Sequence, residues 1–287
     1  MEPLFACLPV RRVHTYRLIL SASRIPHKVV PWKDETWSIE VPPSYRRAAV
    51  TAVSLYLDEN SPDVDDVPPP PTYGSRTYSA LYAVFVLVAI HGMIPSEHER
   101  HLFISAYGAD SDAILNGEIY RCITALLFHS GWPHLLANLA GLALFGTVVA
   151  TICGWGMGWL LITVSAGSGN FLNACWYQHG HLSVGASTAV FAAVGLCSAL
   201  TVGMRMRQSI HSWRAWIPLG AGVALLGFLG AAPHTDLMAH LFGFLCGMAF
   251  GGLYVWRIRR PVAWPLQLAA ALATGGLVAG SWVLGMG

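Results

Sequence analysis

The chain reads Val184-Gly185-Ala186-Ser187-Thr188 at the start of one long apolar segment and Ala239-His240-Leu241-Phe242-Gly243 within another. A third apolar segment carries His134 and Asn138, which are one helical turn apart and share a helix face. Polar groups inside a membrane are costly and usually functional. A serine, a histidine and two side-chain hydrogen-bond donors on separate membrane helices are the parts of a serine hydrolase.

The composition agrees with a membrane location. Hydrophobic residues make up 54% of the 287 residues and charged residues only 11%, whereas soluble domains carry about a quarter charged residues. Nine of the 15 carboxylates precede Gly74, and only Asp236 follows Glu118, so a polar N-terminal region leads into an apolar body. A net charge of +2 indicates no nucleic-acid partner. The six cysteines form no CxxC pair, and we expect free buried thiols rather than disulfides or a metal site.

The first 59 residues predict a small soluble α+β module. Helical spacing begins at Val13, two short strands are expected at Val29–Trp32 and Trp37–Val41, and a second helix opens after Pro43. Residues 60–75 are rich in proline and aspartate, which is typical of a stiff, solvated linker. The order of elements is similar to that of a small α+β domain fused to some bacterial membrane proteases.

The rest of the chain predicts an all-α polytopic membrane protein. A spanning helix needs roughly 20 predominantly apolar residues, and seven segments approach that length. We divide them into a six-helix core over residues 76–256 and one additional C-terminal transmembrane helix within residues 257–287. The predicted spans are Thr77–Ile94, Pro133–Cys153, Met157–Trp176, Gly185–Met204, Trp213–Ala231, Thr235–Trp256 and Ala263–Leu284.

The arginines predict the orientation of these spans. Arg205, Arg207 and Arg214 lie between the fourth span and the first residues of the fifth, three more lie between the sixth and seventh spans, and Arg76 precedes the first. With seven alternating spans, all of these fall on one side, which the positive-inside rule makes the cytoplasm. We therefore expect a bacterial inner or plasma membrane protein with a cytoplasmic N-terminus and an external C-terminus. Ser187 and His240 then lie at similar depth near the outer surface.

Ser187 and His240 are the residue types of a nucleophile and its general base. Gly185 precedes the serine by two residues, and glycine permits close backbone approach and unusual dihedral angles. Free N–H groups at a helix start can also hold an oxyanion. Gly243 and Gly247 follow the histidine at helical spacing, so a neighbouring helix that carries a serine can approach the imidazole.

Other polar residues accompany these motifs. His134 and Asn138 can both donate side-chain hydrogen bonds, as an oxyanion hole requires. Asp236 lies one turn before His240, and we expect it to cap the helix rather than to orient the imidazole, which leaves a Ser–His dyad. The many histidines keep a metal or haem site open as an alternative, although the chain has no HExxH motif. We expect neither a metal nor a cofactor.

Together these motifs resemble the rhomboid family of intramembrane serine proteases. Their order and spacing agree over about residues 77–256, which is the whole predicted six-helix core. The resemblance implies that Ser187 is the nucleophile and His240 the general base. It also implies that the Ser187 backbone N–H, His134 and Asn138 stabilise the oxyanion. The matching residues are Gly117-Glu118-Ile119-Tyr120-Arg121 with His129, His134 and Asn138, then Gly185-Ala186-Ser187, and then Ala239-His240 with Gly243 and Gly247.

Two positions depart from the family pattern. Thr188 follows the serine where the family most often has glycine, and Tyr120 stands where tryptophan is common. The threonine could narrow the site, but neither departure removes a chemical group. The resemblance also aligns Phe191 with an aromatic residue that packs on the histidine. The supporting residues of the expected site are therefore Gly185, Phe191, His129, Arg121 and Gly243.

The expected function is intramembrane serine endopeptidase activity on the transmembrane segments of membrane proteins. The implied partners are those substrates and membrane lipids. The alternative is a non-proteolytic rhomboid-like factor that binds membrane proteins. Thr188 favours this alternative, whereas the presence of both Ser187 and His240 opposes it.

Overall fold

The chain forms two units in the computed structural model, Met1–Pro69 and Pro70–Gly287. The structure describes residues 2–32, 36–59, 78–94, 96–207, 216–230, 235–258 and 260–286. The predicted linker at residues 60–75 lies outside the described residues, as does the start of the predicted span at Trp213–Ala231.

The first unit is a three-stranded antiparallel sheet, in the order β1-β3-β2, that shares one apolar core with two helices. Both predicted helices and both predicted strands are present, and the structure adds β1, which we did not predict. Two register shifts interrupt the pairing of β1 with β3, so its sequence lacks a regular alternation. The elements are β1 (Glu2–Leu8), α1 (Val10–Ala22), β2 (Lys28–Pro31), β3 (Trp37–Val41) and α2 (Arg46–Glu59), with a short 3-10 turn at Pro43–Tyr45.

The second unit is helical except for one short strand pair among its described residues. A π-helical turn at Leu142–Gly146 joins α7 to α8, so the two form one continuous helix, Trp132–Cys153. The elements are α3 (Ser79–Gly92), α4 (Glu97–Tyr107), β4 (Ala109–Asp110), α5 (Ser111–Leu115), α6 (Arg121–Thr124), α7 (Trp132–Gly141), α8 (Thr147–Cys153), α9 (Trp155–Tyr177), β5 (Leu182–Ser183), α10 (Ser187–Arg207), α11 (Ile217–Gly230), α12 (Leu237–Arg257) and α13 (Trp264–Met286).

Helices lie at all seven predicted spans, but they differ in their capacity to cross a bilayer. Within the described chain, four helices are long and apolar enough: α7–α8, α10, α12 and α13. Helix α9 has 23 residues, among them several glycines, serines and asparagines, and is not one of these four. Helices α3 and α11 have only 14 residues each, and α3 forms with α4 a pair bent by 119°. The protein is thus a multi-pass membrane protein, and the count of seven spans stays a prediction.

Sequence patterns did not predict the folded segment between α3 and α7. Helix α4 begins with a capping box in which Ser96 and Glu99 exchange hydrogen bonds. Strand β4 then pairs antiparallel with β5, which directly precedes α10. The backbone N–H of Ser111 also donates to the carbonyl oxygen of His181 at 2.9 Å. This segment therefore holds the loop that leads to Ser187.

Helices α9, α10 and α12 form the centre of the membrane unit because glycines let their backbones touch. A Cβ on Gly243 would lie 2.5 Å from the carbonyl oxygen of Thr188. Further along the same pair, a Cβ on Gly247 would overlap the carbonyl oxygen of Ala192. From α9, a Cβ on Gly169 would lie 2.8 Å from the backbone nitrogen of Gly243. Larger residues at these positions would force the helices apart.

Helix α13 is attached near both of its ends to other elements of the second unit. Near its start, the buried Gln267 accepts hydrogen bonds from the backbone N–H groups of Gly156 and Met157 and donates to the carbonyl oxygen of Cys153, each at 2.9 Å. Gln267 thereby satisfies N–H groups at the start of α9. Near the other end, Trp282 stacks on Tyr107 with ring centroids 4.9 Å apart.

Candidate active site

Ser187 is the first residue of α10 and follows a constrained turn. Gly185 has a φ of +119°, in the region that favours glycine, and its N–H donates to the carbonyl oxygen of Ala125 at 2.9 Å. The N–H of Ala186 donates to Nε2 of His129 at 3.2 Å. Two hydrogen bonds, to Ala125 and to His129, therefore fix the backbone that precedes the serine.

His240 lies in the first turn of α12, at the same end of the helix pair as Ser187. Helices α10 and α12 run parallel, since Thr188 meets Gly243 and, further along both helices, Ala192 meets Gly247. The ring of Phe191 stacks on that of His240 with centroids 4.5 Å apart and an interplanar angle of 28°. The imidazole is thus buried beside the helix that begins with the serine.

His134 and Asn138, both on α7, face the turn before Ser187. A Cβ on Gly185 would lie 2.7 Å from His134 Nε2 and 3.5 Å from Asn138 Nδ2. Asn138 is buried, and its Nδ2 has no hydrogen-bond partner among the described residues. The hydroxyl of Ser130 lies 3.1 Å from His134 Nδ1. When that hydroxyl donates, the ring carries its proton on Nε2, which faces Gly185.

His129 supports the same turn as a neutral acceptor. Its ring is buried just before α7, and it lies edge-on to the ring of His134 with centroids 5.2 Å apart. Burial, followed by the influence of His134 and His91, lowers the pKa of His129 to about 3. The ring is therefore uncharged at neutral pH, and Nε2 can accept the hydrogen bond from Ala186.

Arg121 lies outside this group of residues and contacts the segment between α3 and α7 instead. Its Nε donates to Glu118 at 2.6 Å, and its Nη1 donates to the carbonyl oxygens of Ser105 at 2.9 Å and Gly108 at 3.3 Å. The hydrogen bond from Arg121, followed by the one from Tyr120, lowers the pKa of Glu118. The structure thus assigns Arg121 to the folded segment between α3 and α7, which in turn braces the loop before Ser187.

Asp236 caps α12 and also contacts two side chains from other segments, those of Asn173 and His181. One carboxylate oxygen accepts from the backbone N–H of Ala239 at 3.0 Å. The other accepts from Asn173 Nδ2 at 2.8 Å and lies 2.6 Å from His181 Nε2. The cap agrees with the sequence expectation. No sequence signal joins Asn173, His181 and Asp236, because they lie on three distant segments.

Thr188, the residue that departs from the family pattern, places its methyl group against Gly243 of α12 and Gly169 of α9. It is buried, and a Cβ on Gly243 or Gly169 would lie 3.0 or 3.1 Å from its Cγ2. Its methyl group therefore fills the junction of α9, α10 and α12. The additional side chain contributes to helix packing there.

The histidines do not assemble into a metal centre in the part of the chain that the structure describes. No group of three or more histidine, cysteine, aspartate or glutamate side chains lies close enough to hold an ion there. The arrangement instead brings together a serine at a helix start, a stacked imidazole and two side-chain donors. Among the residues expected in the site, only Arg121 lies apart.

Comparisons with known proteins identify relatives of the part of the chain that contains these residues. The family model described as Rhomboid domain matches residues 116–257. The chain is 31% identical to RHOMBOID-like protein 1 of Arabidopsis thaliana over 142 residues, which cover 49% of this chain and 36% of that protein. It is 29% identical to Rhomboid-like protease 1 of Toxoplasma gondii over 170 residues, 58% of each chain. It is 31% identical to Rhomboid-type serine protease 2 of Emericella nidulans over 133 residues, 46% of this chain and 26% of that protein.

The alignments cover less than two thirds of the length of each of these three relatives. The matched domain nevertheless runs from before α6 to the end of α12 and includes every residue of the candidate site. The sequence match and the geometry therefore concern the same part of the molecule. On both grounds, the chain belongs to the rhomboid family.

Proposed function

We propose that the protein is an intramembrane serine endopeptidase with Ser187 as nucleophile and His240 as general base. The observation that carries this proposal is the parallel, glycine-mediated packing of α10 on α12, which brings the starts of both helices to one end. Ser187 begins the first helix and His240 lies in the first turn of the second. The family match and the relatives named as proteases support the same assignment.

The chemistry follows from these two groups. Ser187 Oγ attacks the scissile carbonyl carbon while His240 takes the hydroxyl proton. His240 then returns that proton to the leaving amine as the peptide C–N bond breaks, and an ester to Ser187 remains. Water, deprotonated by His240, attacks the ester, and the serine is regenerated with release of the carboxylic acid. The cycle requires no cofactor.

Three donors would stabilise the oxyanion of the tetrahedral intermediate. The backbone N–H of Ser187 is at a helix start, where such groups have no intrahelical partner. Asn138 Nδ2 is buried beside Gly185 without a partner among the described residues, and His134 Nε2 faces the same turn. A donor that is already desolvated and unpaired gains most from a developing negative charge. We assign Asn138 and His134 to this role.

The proposed substrates are transmembrane segments of other membrane proteins. A site formed by membrane helices is accessible to segments that lie in the same bilayer. We propose the orientation that the arginines favour, with a cytoplasmic N-terminus and an external C-terminus in a bacterial inner or plasma membrane. Reporter fusions at both termini test it, and termini on the same side would contradict it.

Fluorophosphonate labelling of the purified full chain tests the dyad. We expect labelling of the wild type and its loss in both Ser187→Ala and His240→Ala. Ser165→Ala is the matched control, because Ser165 is a buried serine on α9 whose Oγ has no partner among the described residues. It should label as the wild type does. A wild type that binds transmembrane peptides but neither labels nor cleaves them would favour the non-proteolytic alternative.

A further inference from the structure

A cavity of about 440 Å³ lies between the outer helices α3 and α13 and reaches inward to α9 and α10. Its inner lining includes Ile162 and Ala186, both of which are at most 2% exposed. Its outer lining includes Tyr82, which is 75% exposed, and the exposed Gly275. The cavity therefore connects the lipid-facing surface with the residue that directly precedes Ser187.

The cavity is chemically apolar. Alanine, leucine, isoleucine, valine and tryptophan side chains form most of its wall. Two of its hydroxyl groups are already engaged: Ser79 accepts a hydrogen bond from Trp159 Nε1, and Thr274 donates to the carbonyl oxygen of Ala270, both at 2.9 Å. Polar partners are what hold water in a buried cavity, and apolar cavities of about 150 Å³ stay dry and accept apolar molecules instead.

The size and surroundings restrict the occupant. A volume of 440 Å³ is within the range of roughly 300–1,000 Å³ that small-molecule sites have. An α-helix, about 10–12 Å across with its side chains, does not fit such a space. Only 11% of the apolar window of α13 is buried inside the protein, so much of the wall helix faces the hydrocarbon of the bilayer. The lining contains neither His134, Asn138 nor His240.

We propose that this cavity is a lipid site that holds one acyl chain of a membrane phospholipid. The chain enters between α3 and α13 and packs against Ala186 and Ala189, on either side of Ser187. An acyl chain supplies the dispersion contacts that an empty apolar cavity would lack, and it demands no hydrogen bonds. The site is separate from the residues proposed to cleave peptide bonds, so it does not depend on that activity.

The test uses the full chain in phosphatidylcholine vesicles that contain a fraction of lipid with a photoreactive diazirine in its acyl chain. After irradiation, mass spectrometry maps the labelled residues. Leu272 is 67% exposed on α13 and should be labelled in every variant, whereas Leu142 and Ile162 are buried and line the cavity. We expect labels on both buried residues in the wild type.

Two neighbouring glycines on α13 give a matched pair of variants. A Cβ on either Gly275 or Gly276 meets nothing within 4 Å, but only Gly275 lines the cavity. Gly275→Leu should remove at least nine tenths of the labels from Leu142 and Ile162, and Gly276→Leu should retain them. Ala83→Leu, on the opposite wall, should act as Gly275→Leu does.

Three results would overturn the proposal. Labels confined to Leu272 in the wild type would mean that no acyl chain enters. Buried labels that persist in both Gly275→Leu and Ala83→Leu would mean that the lipid reaches these residues by another path. Loss of the buried labels upon addition of a transmembrane peptide, with Leu272 still labelled, would make the cavity a substrate subsite instead.

Discussion

The carboxylate of Asp236 and Nε2 of His181 lie 2.6 Å apart and join the start of α12 to the loop that leads to α10. The His181 ring also stacks on Tyr177, with centroids 3.8 Å apart and an interplanar angle of 13°. Because His240 follows Asp236 by one turn and Ser187 follows His181 by six residues, this contact connects the two segments that carry the proposed dyad.

We expect Asp236→Ala to lower both stability and turnover. The change removes a helix cap worth about 1 kcal/mol and leaves the donor of the buried Asn173 unpaired at about 1–3 kcal/mol, so the free energy of unfolding should fall by roughly 2–4 kcal/mol. A shifted loop should reduce turnover by about 10- to 100-fold. Thermal unfolding and cleavage assays measure the two effects.

Asp112→Ala is the control for that change. Asp112 lies 2.6 Å from His179 and accepts a hydrogen bond from the backbone N–H of Gly180 at 2.8 Å, so it also contacts this loop, but the side chains of Asp112 and His179 are exposed. Exposed ion pairs contribute about 0–1 kcal/mol, so this variant should stay close to the wild type. Equal losses in Asp112→Ala and Asp236→Ala would contradict a specific role for the buried contact.

The stabilising effect of Asp236 should persist into acid. Burial alone would raise its pKa, but the hydrogen bonds from Ala239 and His181 lower it below the ordinary value of 3.8. A carboxyl with a lowered folded pKa contributes fully above its unfolded pKa, and the contribution is lost as the pH falls through the folded value. The difference in Tm between the wild type and Asp236→Asn should therefore remain at pH 5 and narrow only below 3.8. Its disappearance between pH 7 and pH 5 would mean that another group controls it.

Asn138→Ala should reduce turnover while leaving Ser187 reactive. Loss of one oxyanion donor costs about 3–4 kcal/mol of transition-state stabilisation, or roughly 100- to 1,000-fold in kcat. The nucleophile and base remain, so a fluorophosphonate should still label the serine, more slowly. Paired measurement of peptide turnover and labelling rate separates the two. Wild-type turnover in Asn138→Ala would contradict the oxyanion role and leave Asn138 as a residue that contributes only to helix packing.

Gly185→Ala should inactivate the protein through a steric clash. The new Cβ would lie 2.6 Å from the His134 ring, at a φ of +119° that alanine rarely adopts. Gly180→Ala is the matched control, because Gly180 lies in the same loop with a φ of +68° and has nothing within 4 Å of its Cβ position. We expect loss of cleavage only in Gly185→Ala. Equal loss in both variants would attribute the effect to backbone strain alone.

Gln267→Leu should loosen α13 from the helices it packs against. The change leaves the N–H groups of Gly156 and Met157 and the carbonyl of Cys153 without their partner, and each buried unpaired group costs about 1–3 kcal/mol. The Tm in detergent should fall clearly. Leu272→Ala, at a position 67% exposed on the same helix, should leave it nearly unchanged. Equal Tm values for the two variants would argue against a stabilising role for the hydrogen bonds of Gln267.

The sequence predicted the elements that carry regular periodicity and motifs. Polar residues that are conspicuous within apolar segments led to the prediction of four site residues: Ser187, His240, His134 and Asn138. The structure brings those segments together. The contact between Asp236 and His181 has no such signal, since it depends on the loop path that β4 and β5 fix. Helix α4 and strand β1 were missed for a similar reason. Their stability comes from capping and irregular pairing, and neither leaves a repeating apolar pattern.

The backbone contacts of Gly243 and Gly247 with α10 also limit how the bilayer can influence this protein. Two helices already in van der Waals contact along their backbones cannot be pressed closer, so lateral compression leaves the spacing of Ser187 and His240 unchanged. No comparable steric contact opposes the separation of the two helices. Mechanical changes in the membrane should consequently act on the proposed dyad in one direction only, by pulling its two helices apart.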